Sequence, residues 1–576
     1  MVQFNGINDN NGESRNSSAG EYSTSLYRTA SGKQLRESKA FSSSSTPEPS
    51  NGAELTNVDT TMTDFVPPPM TTLQRRLTIL SLCLTLFLSA LDITIISTAL
   101  PTIARELGVT SQQYAWISSG FTLANTTSTP IWAKASDILG RKPMVVASAV
   151  LFMAGSLVCA LADSGEMLIG GRVVQGLGAG GSLVMVTIVI GDLFALKDRA
   201  KYYGFTGIVW GISSAIGPVL GGIFAQTIGW RWCFYINLPF DGLAILVLIF
   251  VLRVKTAKEP LLQGLRTLDW TGFVFIIGGT ICFLYGLEVG ATSPGAWSSA
   301  KVICMIVFGI ALLIGFCVWE SRFATIPIIP GRIFTKRTNL AAFAVSCLHS
   351  FSFISFDFFL PLYSQVILGL TPLLSGITLF ALIVPLSVMP MAGAFVIRKT
   401  GNYVYVCYVG AALMTLGTGL FISFQTHREW AKIITFQVIA GLGAGLLFQS
   451  PMIALQSFLH QRDIAAAMSA YAFLRSLCTS VSVVIGSVLI QRSLHGGSLT
   501  SLHGAADGNN ATNNTSETDY MTGLHNMWTF YTCICGLMLV CTVFIKQKRK
   551  PAKTEEAGIG HATETQVHSE VVAEKI

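Results

Sequence analysis

The chain alternates between long apolar stretches and short polar ones. The apolar stretches fall near 78–100, 113–133, 143–162, 167–191, 203–226, 234–253, 269–289, 301–320, 340–362, 375–397, 403–424, 432–453, 464–490 and 524–545. Each approaches the roughly 20 residues that a helix needs to cross a hydrocarbon core of about 30 Å. A helix satisfies its own backbone hydrogen bonds, so the pattern predicts an all-α membrane protein with fourteen crossings.

An even number of crossings puts both tails on one side, and the basic residues choose which. The turns on the side of the tails hold 24 lysines and arginines close to the apolar stretches, among them Arg75, Arg141, Lys142, Arg199, Arg337 and Lys546; the opposite turns hold six. That bias predicts cytosolic tails.

Composition agrees. Of 576 residues 51% are hydrophobic and 12% charged, with mean hydropathy +0.56, against about 25% charge in soluble domains. The net charge of +7 sits between apolar stretches, so its partner is an anionic lipid surface and not nucleic acid. Most of the twelve cysteines fall inside apolar stretches, which argues against a disulfide or zinc framework. The first ~70 residues are polar and Ser-rich and lack an early apolar core, so they read as a disordered cytosolic tail and not as a signal peptide.

An internal repeat divides the rest. Gly176-Leu177-Gly178-Ala179-Gly180 in the fourth stretch recurs as Gly441-Leu442-Gly443-Ala444-Gly445 in the twelfth, and both stretches run in the same direction. The expected organisation is a tail (1–74), a six-helix bundle (75–254), a linker with two inserted helices (255–335), a second six-helix bundle (336–546) and a tail (547–576). Parallel repeats place a substrate site between the halves, near the membrane midplane.

The candidate chemistry is sparse and deep. Asp92 lies in the first stretch, roughly 12 Å below its outer end, and Arg172 in the fourth, roughly 8 Å below its outer end, by helical rise. Each charge alone would be expensive in lipid, and their depths allow pairing. An acid beside a permanent cation can act as a proton-coupling switch. The repeat puts Gln437 where the first half has Arg172, so proton handling is expected in the first half and substrate binding mainly in the second. Asp357 in the ninth stretch stands among Phe353, Phe356, Phe358 and Phe359, a setting suited to an amphipathic or cationic ligand. His349 reads as a satisfied interior histidine. Gln175, Phe356, Asp357 and Gln449 are the expected substrate contacts. Asp137, Gly140 and Arg141 in the turn after the second stretch, and Gly211, Gly217, Pro218, Gly221 and Gly222 in the fifth, are expected to govern conformational change, the glycines by close contact between the halves. Asn510, Asn513 and Asn514 begin glycosylation acceptor patterns in the long outer loop 491–523. No nucleotide-binding loop, metal cluster, cofactor motif or catalytic constellation is visible, so an enzyme is not expected.

Together these residues resemble the major facilitator superfamily, in particular its fourteen-helix drug:proton antiporter branch, over about 75–545. The resemblance is carried by Leu91-Asp92-Ile93-Thr94 through Ala99-Leu100-Pro101, by Asp137 to Lys142, by Arg172 to Gly180, by Gly211 to Gly222, and by Trp230 to Pro239. The turn motif departs from the branch at Ala133 and Ile138, which implies a weaker latch. The Ser-rich tail and the acceptor patterns look eukaryotic, and the nearest likeness is to fungal multidrug and toxin efflux carriers. The resemblance implies a proton-coupled exporter of hydrophobic or cationic compounds, monomeric, in the plasma membrane. The same branch includes vacuolar basic amino-acid antiporters and siderophore carriers, which stay open alternatives. A membrane sensor without transport is the rival outside transport, and neither tail offers a recognisable signalling domain for it.

Overall fold

The computed structural model describes residues 70–254, 268–292, 296–325, 327–460, 463–493 and 514–547, and these form helices and turns with no β-strand among them. The first bundle is α1 (Thr72–Leu107), α2 (Ser111–Leu139), α3 (Arg141–Ala160), α4 (Gly165–Leu193), α5 (Leu196–Gln226) and a broken crossing, α6 (Trp232–Tyr235) with α7 (Asn237–Val251). The inserted pair is α8 (Trp270–Thr292) and α9 (Ala300–Arg322). The second bundle is α10 (Arg337–Val366), α11 (Pro372–Thr378) with α12 (Phe380–Thr400), α13 (Val404–Leu420), α14 (Trp430–Leu447) with α15 (Ser450–Ser457), α16 (Ile464–Ser493) and α17 (Asn514–Thr542).

Thirteen of the predicted crossings are long and apolar enough to span a membrane. The other, α2, has the length but carries Asn125, Thr126, Thr127, Ser128 and Thr129, all buried against neighbouring helices. Two ends differ from the sequence expectation. Helix α1 runs on to Leu107, where Gly108 at φ 61° ends it. Helix α17 starts at Asn514, well before the apolar stretch, because helical hydrogen bonding continues where hydropathy no longer marks it. Asn514 is thus the first residue of a helix, Asn510, Asn513 and residues 1–69 and 548–576 lie outside the described residues, and α1 begins inside the expected tail, at Thr72.

The two bundles share one packing scheme. In the first, α4 lies between α2 and α3, α1 packs on α5 and α7, and α3 packs on α7. In the second, α14 lies between α12 and α13, α10 packs on α16 and α17, and α13 packs on α17. The glycine motifs explain the match. A Cβ on Gly176 would come within 2.4 Å of the Phe121 carbonyl of α2, and one on Gly178 within 2.3 Å of the Phe152 nitrogen of α3. A Cβ on Gly441 would meet the Leu382 carbonyl of α12 at 2.3 Å, and one on Gly443 the Met414 nitrogen of α13 at 2.2 Å. In each half, alternate glycines let one helix touch two neighbours at backbone distance.

The halves meet along two seams, α5 against α12 and α2 against α16. The inserted helix α8 lies on the second seam, touching both α2 and α16.

Candidate functional site

Asp92 on α1 and Arg172 on α4 form an ion pair, and both side chains are almost wholly inaccessible, at 0% and 1%. The pair sits in a complete polar network. Arg172 Nη1 donates to Asp92 Oδ2 and, at 2.7 Å, to Gln175 Oε1; its Nε donates to the Ile117 carbonyl at 3.1 Å. The guanidinium also lies 4.3 Å from the Phe121 ring centre. Gln175 Nε2 donates to Asp92 Oδ1 at 2.7 Å and to Ser156 Oγ on α3 at 2.8 Å. Asn237, the first residue of α7, donates to Ser156 Oγ at 3.2 Å and to Asp92 Oδ1 at 3.4 Å. Five helices, α1, α2, α3, α4 and α7, therefore contribute to the network around one carboxylate. Gln175, expected to touch substrate, is instead buried inside the first bundle as a member of this network.

Two groups beside the network lack partners. Asn237 Oδ1 has none among the described residues. Asp241, one turn further along α7 on the same face, is fully buried, and neither of its carboxylate oxygens has a hydrogen-bond partner among the described residues.

The turn between α2 and α3 holds a second ionic cluster. Gly140 takes φ 97°, a conformation that suits glycine, and lets α3 start at once. Arg141 then reaches back to Asp137 at 2.5 Å and Ser136 at 2.7 Å on α2, and across to Asp192 at 2.8 Å on α4. Asp192 completes the cluster, and the sequence reading missed it; an acid directly after Gly191 at the end of an apolar stretch was the available signal.

Helix α5 divides its glycines between two contacts. Gly204, Gly207 and Gly211, spaced three and four apart, share the face toward α12, and a Cβ on Gly211 would collide with Ser387. Gly217 and Gly221, four apart, face α1 instead, where a Cβ would meet Thr94 Oγ1 at 2.0 Å and the Ile95 carbonyl at 2.1 Å. Gly222 faces open space. Of the expected glycines only Gly211 packs between the halves; six residues of helix turn Gly217 to another side. Around Pro218, Thr94 donates to the Ser213 carbonyl at 3.2 Å and Thr98 to the Pro218 carbonyl at 2.9 Å.

Gln449 falls in the break between α14 and α15, which aims it across the seam to donate to Thr206 Oγ1 on α5 at 3.0 Å. Gln456 likewise reaches Tyr203 Oη at 2.9 Å, and Arg199 reaches Gln456 Oε1 at 3.3 Å. Thr126 and Ser476 share a 2.5 Å hydrogen bond across the other seam. These bonds lie at mid-depth or nearer the basic end, where Arg141 and Arg199 sit.

Phe356 does not reach a seam. It is fully buried within the second bundle, its ring 5.6 Å from Phe421 and 6.3 Å from Trp528, so it packs in the core here and lines neither seam. Asp357 is partly exposed and makes no hydrogen bond or ion pair among the described residues. His349 is buried, with Nε2 3.0 Å from the Ala444 carbonyl and Nδ1 unpartnered.

On the first, fourth and fifth helices of each half the repeat holds one separation. A separation of 265 positions carries Arg172 to Gln437 and Gly176 to Gly441, and also Asp92 to Asp357, Gly221 to Gly486 and Trp210 to Arg475. Arg475, a cation at mid-depth in α16, escaped the sequence reading because its stretch stays apolar enough to hide it. It is partly exposed, lies 5.0 Å from the Phe448 ring centre and 5.5 Å from that of Tyr471, and donates to the Phe448 carbonyl at 3.3 Å.

A sequence model described as Major Facilitator Superfamily matches residues 82–483. The chain is 42% identical over 500 residues to the protein named efflux pump dotC of Dothistroma septosporum, covering 84% of this chain and 86% of that one. It is 40% identical over 494 residues to the MFS-type transporter ppz2 of Metarhizium majus, covering 82% and 85%. Its fold is similar to the crystal structure of the human organic anion transporter MFSD10, with TM-score 0.56 and 14% identity over 83% of this chain and all of that one.

Proposed function

The chain belongs to the major facilitator superfamily and is a multi-pass membrane transporter, and from that premise we propose that it exports hydrophobic small molecules from the cytosol in exchange for protons, by alternating access of a site between its halves. The export direction follows the relative named as an efflux pump. The observation that carries proton coupling is the buried network around Asp92.

That network has a place for the proton and a place for the cation it displaces. When Asp92 is ionised, it accepts from Arg172, Gln175 and Asn237. When it takes a proton, Arg172 keeps Gln175 Oε1, the Ile117 carbonyl and the Phe121 ring. The protonated acid becomes a donor, and Asn237 supplies the idle acceptor, Oδ1, once its amide turns. Arg172 keeps hydrogen-bond partners in both states but loses its counter-ion in the protonated one, a cost that can drive the network to rearrange. Asp241 stands roughly 6 Å further along α7 by helical rise, where a proton leaving toward the basic end would meet a second carboxylate. Because α1 also packs on α5, a change at Asp92 acts on the helix that forms a seam.

The hydrogen bonds between the halves gather toward the basic end, which is the cytosolic end by the charge rule; this arrangement suits a state closed on that side. Gln449 and Asp357 remain the candidates of the second half for substrate contact.

The test is pH-gradient-driven accumulation of a fluorescent hydrophobic dye in inside-out vesicles. Wild type should accumulate dye and lose it with an uncoupler, and Asp92→Asn should do neither. Transport by Asp92→Asn equal to wild type would end the proton-coupling proposal, and gradient-driven uptake of lysine or arginine in place of dye would favour the amino-acid antiporter.

A further inference from the structure

Given the transport reading above, we propose that the substrate is an amphipathic organic anion with a planar aromatic body, and that Arg475 receives its carboxylate or phenolate.

Arg475 faces the junction of the halves and not lipid. Its neighbour Ser476 is bonded to Thr126 of the first half. Phe448, over which its guanidinium lies, has its ring centre 6.1 Å from that of Trp210, also of the first half. Residue 449, next in the chain, bonds to Thr206 of the first half. The repeat agrees, because Trp210 and Arg475 are register mates. Each half turns the same position of the same helix toward the junction, the first with an aromatic plane and the second with a cation.

The cation lacks the compensation its depth calls for. Among the described residues no carboxylate forms an ion pair with Arg475. Of five guanidinium donors, one goes to the Phe448 carbonyl and another to the Tyr471 hydroxyl, and neither partner carries a charge. Arg172, the buried arginine of the first half, has a carboxylate, an amide and a carbonyl around it. A mid-membrane arginine without a counter-ion belongs in a wet cavity with a ligand to bind, and its planar fork matches a carboxylate with two parallel hydrogen bonds. Asp357 is too far to serve as its partner. It lies eight residues beyond His349, roughly 12 Å along α10 by helical rise, and His349 packs on Phe448 at the level of Arg475, with ring centres 6.1 Å apart.

The surroundings select the rest of the ligand. Trp210, Phe448, Phe353 and His349 gather their rings there, Phe353 and Phe448 meeting edge to face at 6.2 Å. An aromatic body finds ring contacts on both sides of the junction.

The experiment compares three probes of one shape with the full chain in lipid nanodiscs: 1-pyrenebutyrate, its primary amide and 1-pyrenebutylamine. Wild type should bind the carboxylate at least about tenfold tighter than the amide, the value of one charge-assisted pairing, and the amine weakest. Arg475→Gln should erase the preference while holding amide affinity within about twofold, which also reports an intact fold, and Arg475→Lys should keep part of it, because a point charge replaces the fork. A preference for the amine, an unchanged carboxylate preference in Arg475→Gln, or no binding of any probe by wild type would overturn the proposal. Vesicle transport separates the two readings. Asp92-dependent accumulation of the amine leaves proton-coupled export standing and removes the anion site. Selective binding of the carboxylate without gradient-driven movement does the reverse.

Discussion

Residues 92 and 357 hold the same place in the two halves and live in opposite circumstances. Asp92 is sealed inside a network drawn from five helices, with Arg172, Gln175 and Asn237 bonded to it directly and Ser156 behind them. Asp357 is partly exposed, and the place of Arg172 is taken by Gln437; among the described residues neither Asp357 nor Gln437 Oε1 has a hydrogen-bond partner. The helices around them pack alike, down to the glycines that face the same neighbours in each half. The scaffold is therefore symmetric where backbone meets backbone and asymmetric where charge is placed. Close packing constrains both halves equally, whereas on the proposed function one proton site would suffice for coupling and leave the other half free to change for binding.

The largest test of this difference is to remove the charge on one side only. Asp92→Ala leaves Arg172 buried without its counter-ion and should cost on the order of 3–5 kcal/mol, read as a large loss of folded protein in a thermal melt of the purified carrier. Asp92→Asn with Arg172→Gln removes both charges and should recover most of that stability while transport stays absent. If Asp92→Ala melts like wild type, the pair does not hold the first half together.

Packing should answer symmetrically. Gly178→Ala and Gly443→Ala each push a methyl into a backbone nitrogen, at 2.3 Å and 2.2 Å. Both should lose about 1–3 kcal/mol, the usual cost of overpacking, and by amounts similar to each other. A loss confined to one half would break the claim that the scaffold is shared.

The glycine pair at the end of α5 gives a smaller contrast. Gly221 faces α1 and has a glycine, Gly486, as register mate; Gly222 faces open space and is matched by Ser487. The second half thus already carries a side chain at that position. Gly222→Ala should be neutral or gain up to about 1 kcal/mol from helix propensity, with transport unchanged, whereas Gly221→Ala should impair both. Equal damage from the two would mean that the family motif, and not local contact, sets the requirement.

These contrasts also separate what the sequence revealed from what it hid. Thirteen of the fourteen predicted crossings are long, apolar helices among the described residues, because hydropathy reports depth directly. The repeat and the pairing of Asp92 with Arg172 were legible because charges in lipid are few and their depths can be counted. Rotational phase was not legible. In a membrane helix the faces toward lipid and toward the core are both apolar, so Gln175 and Phe356 gave no sign that they point into a bundle. Neutral partners such as Ser156 and Asn237 were equally silent, since serine and asparagine look alike whether they close a network or line a cavity. Arg475 and Asp241 were available as charges inside apolar stretches, and the separation of 265 positions would have flagged Arg475 opposite Trp210.

The smallest expected effect discriminates most sharply between the halves. Asp357→Asn removes a carboxylate that makes no hydrogen bond or ion pair among the described residues, so stability should stay within about 0.5 kcal/mol of wild type, as for other substitutions without such partners. Proton-driven transport should persist, because the network that can exchange a proton lies wholly in the other half. If the substrate is an anion, removing a negative charge from the same half should leave its affinity unchanged or slightly improved, whereas a cationic substrate would bind more weakly. Titrating carboxylate and amine probes against this variant therefore reads the sign of the substrate from the acid, independently of Arg475. Should Asp357→Asn abolish gradient-driven uptake while Asp92→Asn retains it, the division of labour runs the other way, and the buried pair is a structural joint in a half whose partner carries the proton.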